Sequence, residues 1–320
     1  MASILDRPLR AGILAAADNP LVRRAVTRYG MRLGARRFVA GEGVAQLLTA
    51  ARAANAEGFS VAATLLGESI HERSETMAIT DEYCRLLDAF AEEGYDANVA
   101  FKLTHVGLDV DPELAFENAS RIVAVAAKNG NTVRMDMEQS RYVDATLETY
   151  RRLRAAGAAN AGFVLQSYLY RSEDDLTAML PLGPNVRIVK GAYLEPPEIA
   201  HPQKREVDAS YLKLAELALS HEGYTAVATH DAKIIEHVER FAAARGLPKQ
   251  GRFEFQMLYG IATPLARRTL ERGYRVRLSI PYGEFWFPYL MRRLAERPAN
   301  VAFFLKGALS PNLPVTKDRS

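Results

Sequence analysis

Eight short β-rich apolar runs, each followed by a dozen or more residues of helical pattern, constrain the fold of this chain more than any other feature. They are Phe59–Leu66, Ala97–Leu103, Thr132–Met137, Gly162–Ser167, Val186–Lys190, Thr225–Thr229, Phe253–Met257 and Val276–Ile280. Runs that are apolar on both faces and separated by helices belong to a parallel sheet, because the helices cover both faces. Eight such units are the number that closes a (βα)8 barrel. The expected fold is therefore α/β, a distorted TIM-type barrel over residues 58–310 followed by a tail at 311–320. A doubly wound open sheet is the structural competitor, but no G-x-G-x-x-G follows the first run, as a dinucleotide fold prefers.

Residues 1–57 read as a helical segment: Leu9–Ala17, Leu21–Tyr29 and Val44–Ala56, punctuated by Pro20, Gly30, Gly34 and Gly41-Glu42-Gly43. Arg28, Arg32, Arg36 and Arg37 make it the most basic part of the chain. Across 320 residues, 41 Lys and Arg against 38 Asp and Glu leave a net charge of +3, with neither sign gathered in a block. That distribution speaks against a nucleic-acid partner. The single cysteine, Cys84, excludes an intramolecular disulfide framework and any multi-cysteine metal site, and its helical context reads as packing. No stretch shows a clean signal-peptide core or the ~20 uninterrupted apolar residues of a membrane span. The expectation is a cytoplasmic protein, with room for a peripheral membrane contact through an amphipathic helix.

The carboxyl ends of the eight runs are unusually polar, and that is the end where a barrel keeps its chemistry. They carry Glu68, Lys102, Arg134 with Asp136 and Glu138, Gln166, Arg187 with Lys190 and Tyr193, Thr229-His230-Asp231, Gln256, and Arg277 with Ser279. Each has a bland reading alone: Lys102 or Lys190 could pair with a carboxylate, Gln256 could satisfy backbone groups, and Asp231 could cap a helix. Together they weaken that reading, since charges inside apolar strands are unfavourable unless paired or functional.

The last helix, within Pro281–Asn300, places Tyr289, Arg292, Arg293 and Glu296 at i, i+3, i+4 and i+7, on one face. Adjacent guanidiniums beside an aromatic ring suit a small anion held bidentately. The competing reading is a solvated face with an Arg–Glu pair. Phe285, Trp286 and Phe287 load the first turn with apolar area, and Pro298 stops the helix.

These pieces, LLGES at 65–69, FKLT at 101–104, RMDMEQS at 134–140, RIVKGAY at 187–193, ATHD at 228–231, FEFQMLYG at 253–260 and YLMRRLAERPAN at 289–300, resemble the proline dehydrogenase family in its short, monofunctional bacterial form. The resemblance implies a distorted (βα)8 barrel with FAD across the strand ends and the last helix over the flavin. It implies that Lys102, Arg292 and Arg293 hold the carboxylate of L-proline, while Tyr193, Leu258 and Tyr289 wall its ring and Asp136 sits between substrate and flavin. By the same resemblance FAD meets Asp136, Gln166, Arg187, Lys190, Gly191, Ala192, Thr229, His230, Gln256, Arg293 and Glu296, with Lys204 toward the pyrophosphate. Glu68 matches a position that pairs with Arg292 when the site closes. The implied reaction yields Δ1-pyrroline-5-carboxylate, with electrons passed to membrane quinone, no metal, and a pyrroline-5-carboxylate dehydrogenase as a companion enzyme.

One position departs from the family pattern. Thirteen residues before Arg292 stands Ser279, where many members carry a tyrosine and hydroxyproline-oxidising relatives a small residue, so a preference for 4-hydroxyproline is the alternative substrate reading. Two rivals from other classes are a Schiff-base aldolase using Lys102 or Lys190 and a non-enzymatic scaffold whose basic helices bind a partner.

Overall fold

Each of the eight expected runs forms a strand: β1 Ser60–Leu65, β2 Ala97–Lys102, β3 Val133–Asp136, β4 Ala161–Gln166, β5 Asn185–Val189, β6 Tyr224–Ala228, β7 Phe253–Leu258 and β8 Val276–Tyr282. This computed structural model describes residues 34–67 and 69–296, together with positions 19, 20, 24, 26, 27, 30 and 31. Neighbouring strands pair in parallel, and β8 returns to β1 in a register running from Ser60↔Arg277 to Leu65↔Tyr282. The sheet is closed, which rules out the doubly wound alternative.

The helices are α1 Val44–Ala56, α2 Arg73–Glu92, α3 Pro112–Lys128, α4 Val143–Ala155, α5 Ser172–Met179, α6 Lys204–Leu219, α7 Ala232–Ala244, α8 Thr263–Glu271 and α9 Trp286–Glu296. Their starts follow local chemistry. Asp111 accepts the Glu113 N–H at 2.9 Å ahead of Pro112, and Asp231 accepts the Lys233 N–H at 3.1 Å ahead of α7. α1 has the bounds expected from sequence and packs against β1 and β8, the place in the ring that a helix following β8 would normally take. α9 lies instead with its arginine face at the mouth of the barrel. Of the other two N-terminal helices expected, Leu9–Ala17 lies outside the described residues. Within Leu21–Tyr29, residues Arg24, Val26 and Thr27 are helical.

Two apolar clusters divide the interior. The larger joins outward-facing strand residues such as Val61, Phe101, Phe163 and Phe255 to the helix shell, and Cys84 packs within it as expected. The smaller gathers Trp286, Phe287, Leu290, Met291 and Leu294 of α9 with Ala35, Phe38, Val39, Leu66 and Ile261. Of the three aromatic residues expected in the first turn of α9, Trp286 and Phe287 are buried, while Phe285 precedes the helix and is 67% exposed.

The inside of the barrel is polar below the mouth, and this corrects the placement of Arg134 and Arg277 at the reactive end. Both are buried lower in the barrel. Arg277 donates through Nε to Glu254 Oε1 at 2.9 Å and through Nη1 to the Val61 carbonyl at 2.7 Å. Arg134 reaches Asn185 Oδ1 at 2.6 Å across Gly162, its neighbour in the register of β3 and β4. A Cβ on Gly162 would stand 2.7 Å from the Asn185 carbonyl, so only glycine leaves that path open.

Candidate active site

The carboxyl ends of the strands open into a cavity of about 790 Å³, roofed by α9. Its size is within the range of small-molecule sites, roughly 300–1,000 Å³. Strand register sets the first polar pair: Lys102 at the end of β2 is the direct partner of Asp136 at the end of β3, and both line the cavity. Asp136 Oδ1 accepts a hydrogen bond from Arg187 Nη2 on β5. This pair is largely shielded, at 11% and 16% side-chain exposure, so its attraction is screened far less than a surface pair would be.

Three polar atoms on the cavity floor are buried and have no hydrogen-bond partner: Gln166 Oε1 on β4, Arg187 Nε on β5 and Gln256 Oε1 on β7. Orphaned buried polar atoms are rare in folded proteins, and three lining one cavity mark a surface shaped for a polar ligand edge. One flank is a cluster of two lysines and two aspartates. Lys190 donates to Asp208 Oδ1 at 2.5 Å, Lys204 bonds the other oxygen of the same carboxylate, and Asp231 Oδ2 stands 3.7 and 3.8 Å from the two ammoniums. Burial works against ionisation of Asp208, but the two lysines outweigh it and hold its carboxyl below the usual range. Next to them, His230 Nε2 accepts the Leu258 N–H at 2.9 Å, which places the ring proton on Nδ1.

Gly191 lies in the same wall with φ +112°, and a Cβ there would stand 2.4 Å from the Tyr168 ring. Glycine is therefore required for the chain to turn from β5 into the cavity wall. Ala192 and Tyr193 follow it and also line the cavity, as do Thr229, Leu258 and Ser279.

α9 brings Tyr289, Arg292 and Arg293 to the cavity together, the face expected from their spacing. The Arg293 guanidinium lies 5.3 Å from the centroid of the Tyr289 ring, within cation–π reach. The Glu296 side chain and the whole of Glu68 lie outside the described residues. Every other residue that the resemblance placed in the site borders this one cavity, whereas Glu138, also read at a strand end, is buried away from it and accepts from the Thr104 N–H and hydroxyl. Sequence reasoning missed Asp208, one helical turn after Lys204, and Glu254, two residues before Gln256 on the same strand face. Both spacings were visible signals: i, i+4 on a helix for the first and i, i+2 on a strand for the second.

The sequence profile of the proline dehydrogenase family matches residues 47–306. Proline dehydrogenase from Deinococcus radiodurans is 42% identical over 310 residues, covering 96% of this chain and 99% of that protein. The chain belongs to the proline dehydrogenase family. Proline dehydrogenase 1 of Bacillus subtilis strain 168 is 40% identical over 301 residues, covering 94% of this chain and 99% of its own length. Among solved structures, proline utilization A (PutA) from Bdellovibrio bacteriovorus, inactivated by N-propargylglycine, superposes with a TM-score of 0.78 at 24% identity. That alignment covers 84% of this chain and 33% of the larger protein, so this family member spans about a third of its length. PutA from Corynebacterium freiburgense gives a TM-score of 0.73 at 22% identity, over 97% of this chain and 35% of that one. Both show the same fold.

Proposed function

We propose that this chain oxidises L-proline to Δ1-pyrroline-5-carboxylate with FAD as its cofactor and a quinone as the electron acceptor. The observation that carries the reading is the convergence of Lys102, Arg292 and Arg293 on a cavity whose floor holds orphaned polar atoms. The three cations suit one carboxylate, and two of them are forked for bidentate contact. The floor suits the polar edge of a flavin ring: Arg187 offers a donor, and Gln166 and Gln256 offer acceptors. Lys190 and Lys204, formally balanced by Asp208 and Asp231, keep ammonium donors on the cavity lining that suit a pyrophosphate, and Gly191 and Ala192 let backbone approach it. Bound FAD supplies the two-electron acceptor for the substrate C–N bond.

The protein's own share is orientation and electrostatics. The cations fix the carboxylate, Tyr193, Leu258 and Tyr289 wall the apolar ring, and α9 excludes water above it. Proline reacts through its unprotonated amine, so the site takes the minor species at neutral pH and activity rises toward alkaline pH. Among the described residues no helix is long and apolar enough to cross a membrane. Quinone reduction then calls for a peripheral visit to the inner face of the membrane from the cytoplasm, and the labile imine product calls for a nearby pyrroline-5-carboxylate dehydrogenase.

The absorption spectrum of the purified protein under anaerobic conditions tests the reading. A flavin band that bleaches on addition of proline supports it; a colourless protein, or a band indifferent to proline, refutes it. One observation favours a second reading: Ser279 on β8 lines the cavity, and its small side chain and hydroxyl leave space for a ring substituent. Oxidation of 4-hydroxyproline is therefore the alternative.

A further inference from the structure

The inside of the barrel holds a carboxylate that the chemistry above does not use. Glu254 on β7 is 1% exposed and receives donors on both oxygens. Oε1 takes Arg277 Nε at 2.9 Å and Gln256 Nε2 at 2.5 Å. Oε2 takes the Tyr224 hydroxyl at 3.0 Å, with Arg275 Nε 3.3 Å away. Burial works against its ionisation, but the guanidiniums of Arg277 and Arg134 prevail and hold the carboxyl down at about 2. At working pH it accepts and never donates.

Gln256 stands two residues further along the same strand face and has one donor end and one acceptor end. Facing an obligate acceptor, it must turn its NH2 toward Glu254 and its Oε1 away. That Oε1 is one of the orphaned atoms, and Gln256 lines the cavity. Gln166 has Val164 in the place that Glu254 holds for Gln256, so nothing of the kind sets its amide.

We propose that Glu254 is a positioning residue for the cofactor: it locks the Gln256 amide so that the cavity floor presents an acceptor, which selects a ring N–H of the imide kind found on a flavin. This inference rests on the flavin reading above. A Glu254 with a structural role alone would neutralise Arg277 and Arg134 and leave the display of Gln256 without consequence.

Release of FAD on dilution of the holoenzyme, followed by flavin fluorescence, gives the dissociation constant that tests it. In Gln256→Glu the new carboxyl faces an ionised one, keeps its proton, donates it to Glu254 and leaves a carbonyl toward the cavity. That variant is expected to hold FAD within about threefold of the parent protein, whereas Gln256→Met, of similar length but with no acceptor, loses roughly tenfold. Glu254→Asp keeps the charge opposite Arg277 and Arg134 but withdraws it from Gln256 by one methylene. It is expected to weaken FAD roughly fivefold in the parent background and not at all in Gln256→Met. Equal losses for Gln256→Glu and Gln256→Met overturn the proposal, as does the same effect of Glu254→Asp in both backgrounds. If Glu254→Asp fails to fold, the two Gln256 variants decide alone. A parent protein that retains no FAD removes the flavin reading and this inference with it, whereas failure of the inference alone leaves parental FAD binding intact.

Discussion

Trp286 donates its indole N–H to Glu42 Oε1 at 2.9 Å, so the first residue of the roofing helix is tied to the loop that leads into α1. The join is close: a Cβ on Gly30 would stand 2.8 Å from the Trp286 ring. Backbone hydrogen bonds run alongside, from Ala40 N–H to the Pro281 carbonyl at 2.9 Å and from Gly283 N–H to the Gly41 carbonyl at 3.0 Å. The roof is thereby set by residues more than two hundred positions away in the chain.

Trp286 is fully buried, and Trp286→Ala is expected to lower stability by about 3–5 kcal/mol through loss of packing. Trp286→Phe keeps most of the apolar area and gives up the bond to Glu42, at about 1 kcal/mol. Both should raise KM for proline, because the helix that carries Arg292 and Arg293 is less firmly placed. Thermal unfolding and steady-state kinetics check the order.

Arg292→Ala and Arg293→Ala should each raise KM for proline at least tenfold, since on the proposed reading each removes a charge-assisted contact to the carboxylate. Arg293→Ala should also reduce the FAD content of the purified protein. Unchanged proline kinetics in both variants would take the anion-binding role away from α9.

Much of this arrangement is legible in the sequence. The strand–helix alternation needs only hydrophobic periodicity, and the Tyr289, Arg292, Arg293 face needs only helical spacing. Depth inside the barrel is not legible in the same way. Arg134 and Asp136 share one face of β3, yet Asp136 borders the cavity while Arg134 bonds Asn185 below it; only the register across eight strands separates them. Glu254 went unread for a related reason. In Phe253–Gln256 the alternation puts the phenylalanines outward and the polar residues inward, but an inward glutamate is explicable only once Arg277 is known to face it.

Glu254 also sets an acid limit. Its carboxyl is held at about 2 against an ordinary 4.5, so the native state binds fewer protons than the unfolded chain in that interval. The stabilisation, about 3 kcal/mol, is fully present above pH 4.5 and is lost as pH falls toward 2. Urea midpoints measured through this window should fall with pH, and the slope should flatten in a Glu254→Gln, Arg277→Met double variant.

Ser279→Tyr should lower kcat/KM for 4-hydroxyproline more than for proline, because the larger ring fills the space beside a substituted substrate carbon. Kinetics of both substrates on both proteins measure it. A parent protein that prefers hydroxyproline would reverse the substrate assignment and leave the flavin chemistry standing.

The two apolar clusters have a consequence for cooperativity. The roofing helix draws its buried contacts from the smaller cluster, while the strands and their shell draw theirs from the larger, and α1 occupies the ring place beside β8. Local unfolding of α9 therefore need not break the barrel wall. Its amides should exchange with solvent through an opening of lower free energy than the global transition that exposes the strands. If substrate and cofactor bind beneath it as proposed, they should raise that lower value toward the global one, so ligand occupancy becomes readable in the exchange rates of a single helix.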